Sequence, residues 1–227
     1  MNTLAIIIAC GKEEEVASGV DSGFLTLGNG PMISRTLRTY QDSGSVDGII
    51  VVVSKDRVEA AMQVIKRFGC TKVCGIVIGG VNRLSSLKTV YSKLPEPAAT
   101  IIVQEASRPF VTQSVIEETV KAAKRYGCAV AGHRLADAIK VTPKGLKPES
   151  TLERNTAWAA QTPQAFRAEV LEKIIDPKNK GVKLVDDESE WVKKPAEVHM
   201  VEAGYRNMKI RTSDDLAVAT ALLGAAS

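Results

Sequence analysis

The sequence predicts a single α/β domain over residues 1–227, built on a mostly parallel, twisted sheet with helices on both faces and carrying a protruding β-arm. Three observations predict it. Short apolar runs rich in Ile and Val, at 4–10, 48–53 and 73–78, lack polar alternation, as strands buried on both faces do. Between them lie stretches of roughly 10–15 residues with apolar positions at helical spacing, the order that builds a parallel sheet covered on both sides. After residue 133 the alternation gives way to short extended pieces around a turn-rich stretch.

The elements follow in order. Residues 4–10 form the first strand. Met32, Ile33, Leu37 and Tyr40 mark a helix from Pro31, a residue that starts a helix without losing a needed N–H. Residues 48–53 are the second strand, and Ser54 caps a helix running to Phe68. Residues 73–78 are the third strand, ending at Gly79-Gly80, before a helix over 83–94. Residues 100–103 are the fourth strand, followed by a polar turn, a helix over 113–126 and a fifth strand at 128–131.

Residues 139–142 and 151–154 flank Pro143-Lys144-Gly145-Leu146-Lys147-Pro148 and read as a hairpin-like arm, about 136–156. An arm with no core of its own packs against something else, often a second subunit. A short helix at 165–175, an acidic helix at 186–193 and strands at 198–202 and 207–210 come before the last helix. Ser213 caps that helix, with Asp214 and Asp215 favouring its dipole.

Composition narrows the function classes. With 44% hydrophobic and 25% charged residues the chain is an ordinary globular protein, and a net charge of +4 without a basic run argues against a nucleic-acid partner. The first apolar run is short and lacks a basic flank, so it is no signal peptide, and no stretch approaches the length of a membrane span. A cytoplasmic protein is expected. The four cysteines include only a lone C-x3-C pair, Cys70 and Cys74, which suits buried free thiols better than zinc.

Right-handed crossovers put the strand-to-helix loops at one sheet edge, where ligands of open α/β sheets bind. Three loops there carry chemistry. Ala9-Cys10-Gly11-Lys12-Glu13-Glu14-Glu15 has the glycine and lysine of an anion-binding turn, but three glutamates in a row. Like charges about 4 Å apart repel by roughly 4 kcal/mol at an effective dielectric near 20, so these glutamates oppose a phosphate chain unless metal intervenes; a solvated acidic loop is the other reading. Gly79-Gly80-Val81-Asn82-Arg83-Leu84-Ser85-Ser86 lets a ring or phosphate approach backbone at a helix N-terminus. In Glu105-Ala106-Ser107-Arg108-Pro109 a carboxylate can hold Mg2+ while the arginine meets a phosphate, or the two can form a structural pair.

From residue 4 to residue 222 the chain resembles the cytidylyltransferase family that joins CTP to 2-C-methyl-D-erythritol 4-phosphate in isoprenoid precursor synthesis, with its Rossmann-like nucleotidyltransferase fold. The resemblance rests on Gly79-Gly80-x-x-Arg83-x-x-Ser86, on Glu105-Ala106-Ser107-Arg108-Pro109 against an Asp-Ala-Ala-Arg-Pro pattern, and on Glu153-Arg154-Asn155 with Trp158. Gln161-Thr162-Pro163-Gln164, Asp186-Asp187 against Thr-Asp-Glu, and Asn207-Met208-Lys209-Ile210 complete it. A sister family that makes CDP-ribitol shares the Thr-Pro-Gln and the late lysine, and fits less well around 154–158.

The resemblance implies a homodimer with exchanged arms, CTP and a sugar-alcohol phosphate as substrates, and Mg2+ as cofactor. It implies nucleotide contacts from Ala9, Cys10, Gly11, Gly79, Gly80, Asn82, Arg83, Ser86 and Ala106. Sugar-phosphate contacts fall to Arg154, Thr162, Asp186 and Lys209, a Mg2+ ligand to Glu105, and catalytic charge to Lys209, Lys12 and Arg108.

The chain departs from the pattern inside a loop of preserved length. The resembled first loop reads Ala-Ala-Gly-x-Gly-x-Arg-Met with a Pro-Lys-Gln beyond it. Here its second glycine is Glu13, its arginine Glu15 and its lysine Ser22. Glu105 is one methylene longer than the aspartate, and Ala138 replaces a threonine in the arm. Losing two cationic groups worth about 3 kcal/mol each removes several powers of ten in rate. An active transferase and an impaired homologue that binds a nucleotide or a protein partner are therefore both carried forward.

Overall fold

The computed structural model describes residues 2–11, 14–16, 21–94, 98–176 and 187–224. In chain order these hold β1 (Thr3–Ala9), β2 (Thr26–Leu27), β3 (Gly30–Pro31), α1 (Met32–Asp42), β4 (Gly48–Val53), α2 (Val58–Arg67), β5 (Val73–Ile78) and α3 (Arg83–Tyr91). Then come β6 (Thr100–Glu105), α4 (Gln113–Tyr126), β7 (Gly127–Arg134), β8 (Ile139–Val141), β9 (Ser150–Leu152), β10 (Trp158–Arg167), α5 (Ala168–Ile175), β11 (Glu197–Glu202) and α6 (Ser213–Gly224).

The main sheet has seven strands in the order β11-β7-β10-β6-β1-β4-β5, and only β10 runs antiparallel to its neighbours. Side chains alternate across each central strand and feed two cores. Ala5, Ile7, Ala9, Ile49, Val51 and Val53 pack with Ile33, Leu37 and Tyr40 of α1 and with Ile116 and Val120 of α4. Leu4, Ile6, Ile8, Ile50 and Val52 face the other way, onto Leu87 and Val90 of α3 and Leu171 and Ile175 of α5. Both faces are covered, which is why these strands read as unbroken apolar runs.

Several expectations need correcting. A helix was expected over 165–175 and no element over 158–164, yet residues 158–167 form β10, and α5 begins only at Ala168. Insertion between β6 and β7 overrides the weak strand propensity of Ala-Ala-Gln-Thr-Pro-Gln. A bulge between Ala160 and Gln164 takes Pro163, which has no N–H to offer, out of the ladder. Residues 207–210 form no strand; Ile210 N donates to Ser107 O at 3.0 Å and Arg108 Nη1 to Asn207 O at 2.9 Å, single bonds that pin the segment to the end of β6.

Of the acidic helix expected at 186–193, the described residues from Asp187 on form a single 3-10 turn, Glu188–Trp191, capped by Asp187. Ser54 precedes a 3-10 turn, Lys55–Arg57, and its hydroxyl turns to Asp21 rather than capping. The cap of α6 is Thr212, one residue before Ser213: Asp215 N donates to Thr212 Oγ1, and the Asp215 carboxylate accepts from Thr212 N. Cys10, Cys70 and Cys128 are buried free thiols, whereas Cys74 is exposed.

The two expected extended pieces after residue 133 pair as the antiparallel β8 and β9, with Ile139 opposite Leu152. Among the described residues no helix is long and apolar enough to cross a membrane.

Candidate active site

The ends of β1, β5 and β6 and the entry of β10 converge at one sheet edge. β1 ends in Ala9, and Cys10 leads into a turn at Gly11, whose φ of +98° suits glycine. β5 ends at Gly79-Gly80. A methyl group on Gly79 would press on Cys10 Sγ and lie 3.0 Å from both Ser86 Oγ and Val52 Cγ1, so the close approach of β1 to α3 requires glycine.

Asn82 caps α3 in a reciprocal box: its side chain accepts from Ser85 N at 2.9 Å and Ser85 Oγ accepts from Asn82 N at 3.1 Å. Ser86 Oγ accepts from Gly80 N and donates to Asn82 O, each at 3.0 Å. Arg83 turns inward instead of facing solvent. Its Nε donates to the fully buried Glu188 at 2.8 Å and its Nη2 to Gln164 Oε1 at 2.7 Å.

The other side of the site is charged. Lys209 Nζ lies 2.5 Å from Glu105 Oε1 and 3.0 Å from Glu14 Oε1, and Arg108 Nε donates to Glu105 Oε2 at 2.6 Å. Thr162, carried by the β10 bulge, accepts from Glu105 N at 3.0 Å. Asn207 Nδ2 donates to Gln161 Oε1 and to Thr162 O at 3.0 and 2.8 Å, which fixes the segment that carries Lys209.

Glu14 is 3% exposed and also accepts from Ser107 N at 3.2 Å and Ser107 Oγ at 3.0 Å, while Ser22 Oγ donates to its carbonyl at 2.8 Å. Burial would raise the Glu105 carboxyl, but Arg108, Lys209 and Arg83 outweigh it and hold the group down at about 2. Burial and the Glu105 charge push Glu14 up to about 7 against the pull of Lys209 and Ser107. Burial lowers Lys209, and the two carboxylates outweigh that and raise it.

Most residues expected at the site are thus brought together: Ala9, Cys10, Gly11, Gly79, Gly80, Asn82, Arg83, Ser86, Glu105, Ala106, Arg108, Thr162 and Lys209 share this edge. Arg154 does not join them within the chain; it follows β9 and donates to Ala136 O at 3.0 Å. Lys12, Glu13 and Asp186 lie outside the described residues.

Sequence reasoning missed the inward turn of Glu14, the roles of Ser107 and Asn207, and the Arg83–Glu188 pair. Only the Asn207-x-Lys209 spacing hinted at any of these. The Glu–Arg pair weighed for the third loop is the arrangement observed. Glu105 was expected to hold Mg2+, but both its oxygens accept from cations. Among the described residues no group of three or more His, Cys, Asp or Glu side chains is placed to hold a metal ion. As arranged, the donor set does not fit a divalent cation, which wants unpaired carboxylate oxygens.

Two cavities flank the charged cluster. One, of about 190 Å³, is lined by Gly11, Asn82, Arg83 and the inner wall of Glu14 and Glu105. The other, of about 390 Å³, is lined by Arg108, Lys209, Gln161 and the residues leading into β8. A third cavity, about 230 Å³, lies at the opposite sheet edge beside Arg167 and Trp191, away from these loops.

Residues 3–225 match the family described as IspD: 2-C-methyl-D-erythritol 4-phosphate cytidylyltransferase. The chain is 36% identical over 228 residues to the 2-C-methyl-D-erythritol 4-phosphate cytidylyltransferase of Geobacillus kaustophilus, covering 98% of this chain and 97% of that one. It is also 36% identical over 225 residues to the bifunctional enzyme IspD/IspF of Desulforudis audaxviator, of whose length it spans 57%. The crystal structure of the Anaerococcus prevotii 4-diphosphocytidyl-2C-methyl-D-erythritol synthase superposes with a TM-score of 0.86 at 22% identity, over 98% of this chain and 96% of that one, a likeness of fold.

Proposed function

Since this chain belongs to the 2-C-methyl-D-erythritol 4-phosphate cytidylyltransferase family, we propose that it transfers CMP from CTP to 2-C-methyl-D-erythritol 4-phosphate and releases pyrophosphate. The observation that carries the reading is the placement of Lys209, Glu105 and Arg108 as a wall between two cavities, one ending on the Gly79–Gly80 loop and one on the arm. In the reaction an oxygen of the sugar phosphate attacks the α-phosphorus of CTP, the bond from that phosphorus to the bridging oxygen breaks, and pyrophosphate leaves. Such transfer needs alignment and charge neutralisation more than covalent help. Lys209 and Arg108 stand where the two substrates' phosphates would meet and supply positive charge there.

Gly79 and Gly80 let the nucleotide lie against backbone, and Thr162 holds the Glu105 backbone N–H at the end of β6. The exposed Leu146 and Leu152 support an arm that packs on a second subunit, where Arg154 would reach that subunit's sugar phosphate. A cytoplasmic homodimer using Mg2+ with its CTP completes the reading. The impaired-homologue alternative draws on one specific observation, the Glu14 carboxylate seated on Lys209.

Pyrophosphate release from CTP and 2-C-methyl-D-erythritol 4-phosphate with Mg2+ tests the choice. Turnover within tenfold of about 10 s⁻¹, an ordinary enzyme rate, is expected of the transferase. Absence of release with CTP still bound selects the impaired homologue.

A further inference from the structure

We propose that Glu14 is an internal anion occupying the phosphate subsite formed by Lys209 Nζ, Ser107 N–H and Ser107 Oγ, so that a ligand phosphate enters only by displacing it. The inference rests on the nucleotidyl-transfer reading, because that reading puts phosphate oxygens at Lys209.

Three donors meet one carboxylate at 3.0–3.2 Å, the coordination that phosphate oxygens seek. The seat is built rather than accidental. Ser107 supplies both a backbone and a side-chain donor. Ser22, fully buried, anchors the Glu14 carbonyl at 2.8 Å, and it stands where the resembled loop has a lysine.

The charge balance points the same way. Arg83, Arg108 and Lys209 face Glu14, Glu105 and Glu188, with the buried Asp187 beside Arg83, so the carboxylates already match or outnumber the cations before any ligand arrives. Glu105 alone already pairs Lys209, which makes Glu14 the second anion on one cation and the weaker holder of it. The elevated carboxyl of Glu14 accords with a group held in place against burial and a neighbouring charge. Removing the Glu14 charge makes the cluster less negative by one and leaves the Lys209 and Ser107 donors unfilled, which favours an incoming polyphosphate.

The test is calorimetric titration of the full chain and its Glu14→Gln and Ser22→Ala variants with inorganic pyrophosphate and with CTP, beside the turnover assay. Glu14→Gln is expected to tighten pyrophosphate binding by about tenfold or more, the scale of removing one like charge at close range. Ser22→Ala, which only loosens the hold on Glu14, is expected to give a smaller gain in the same direction. It carries the test alone if Glu14→Gln fails to fold.

Unchanged or weaker pyrophosphate binding in folded variants overturns the proposal. Turnover by the wild type combined with that result removes the Glu14 gate and keeps the transferase. Tighter pyrophosphate binding with no turnover in any protein keeps the gate and removes the transferase.

Discussion

Around Gly79, Gly80 and Asn82 the polar groups satisfy one another through neutral hydrogen bonds within a few residues of sequence, whereas around Lys209 they do so through charges drawn from distant parts of the chain. Asn82, Ser85 and Ser86 close on each other over four positions. Lys209 reaches Glu105 across 104 residues, and Glu14 reaches Ser107 across 93. The first side depends on local backbone geometry. The second depends on every charge keeping its partner, since a buried ion left alone is far more costly than a paired one.

The largest effect should therefore follow Lys209→Met. It leaves Glu14 and Glu105 sharing a buried pocket with only the Arg108 and Arg83 charges to offset them. Stability to urea should fall by about 3–5 kcal/mol, and turnover by a factor of about 10²–10³, the usual loss when one charge-stabilising donor goes. Adding Glu14→Gln should restore part of the stability and none of the turnover. A double variant no more stable than the single one would break the charge-network side of the comparison.

Arg83→Ala comes next. It strands the buried Glu188 carboxylate and removes a donor from Gln164, and should lower the unfolding free energy by about 3 kcal/mol. Glu188→Gln should cost less, because Arg83 is then left to Gln164 and to the more distant Glu105 charge. Equal losses in the two variants would mean that packing rather than ion pairing holds this corner.

The pH dependence sharpens the same contrast. Glu14, at about 7 in the folded chain, sits above its ordinary 4.5, so the folded state binds more protons between those values and its stability falls as pH rises from 4.5 to 7. Glu105, held at about 2, contributes stability that is complete above 4.5 and is lost as the pH drops towards 2. Lys209, raised, contributes below its ordinary 10.5 and loses that contribution only at higher pH. Urea midpoints for Glu14→Gln should be flatter between pH 4.5 and 7 than those of the wild type. In the wild type, pyrophosphate affinity should weaken as pH rises through about 7.

These contrasts also explain what the sequence discloses. The apolar runs of β1 and β4 announce buried strands because both of their faces are covered; the run of β5 reads the same way, yet β5 is the edge strand and leaves Cys74 and Ile78 exposed, and Gly79-Gly80 with Asn82 announces a turn and cap because those effects are local. β10 stays hidden: its middle, Ala-Ala-Gln-Thr-Pro-Gln, has weak strand propensity and is ordered by β6 and β7 on either side. Lys209, Arg108 and Thr162 are legible through the resembled pattern, and the Glu105–Arg108 pair is one of the two readings of its loop, but the partners of Lys209 and Thr162 are not legible. The three glutamates at 13–15 look alike in sequence. Only the fold separates Glu14, which turns onto Ser107 and Lys209, from Glu15, which bridges Asp21 at the loop's edge. A charge pattern names the sign of a loop; the side chain that enters the site is chosen by which position faces a donor.

The smallest expected effect lies on the neutral side. Asn82→Ala removes the acceptor of Ser85 N and half of the capping box on α3. The rest of the turn, with Ser86 Oγ still bonded to Gly80 N and Asn82 O, stays in place. Stability should drop by about 1 kcal/mol, the ordinary loss for an N-cap. Without its cap the first turn of α3 has one more free N–H, that of Ser85, which is not among the residues lining the cavity of Gly11 and Asn82. CTP affinity should therefore change by less than about threefold, while Asn82→Asp, which keeps the cap but adds charge at that wall, should weaken CTP without loss of stability. Titrations of the two variants set beside their urea midpoints separate capping from ligand contact. If Asn82→Ala weakens CTP as much as Asn82→Asp does, then Asn82 contacts the nucleotide directly, and the neutral side of the site does more than hold its own loop.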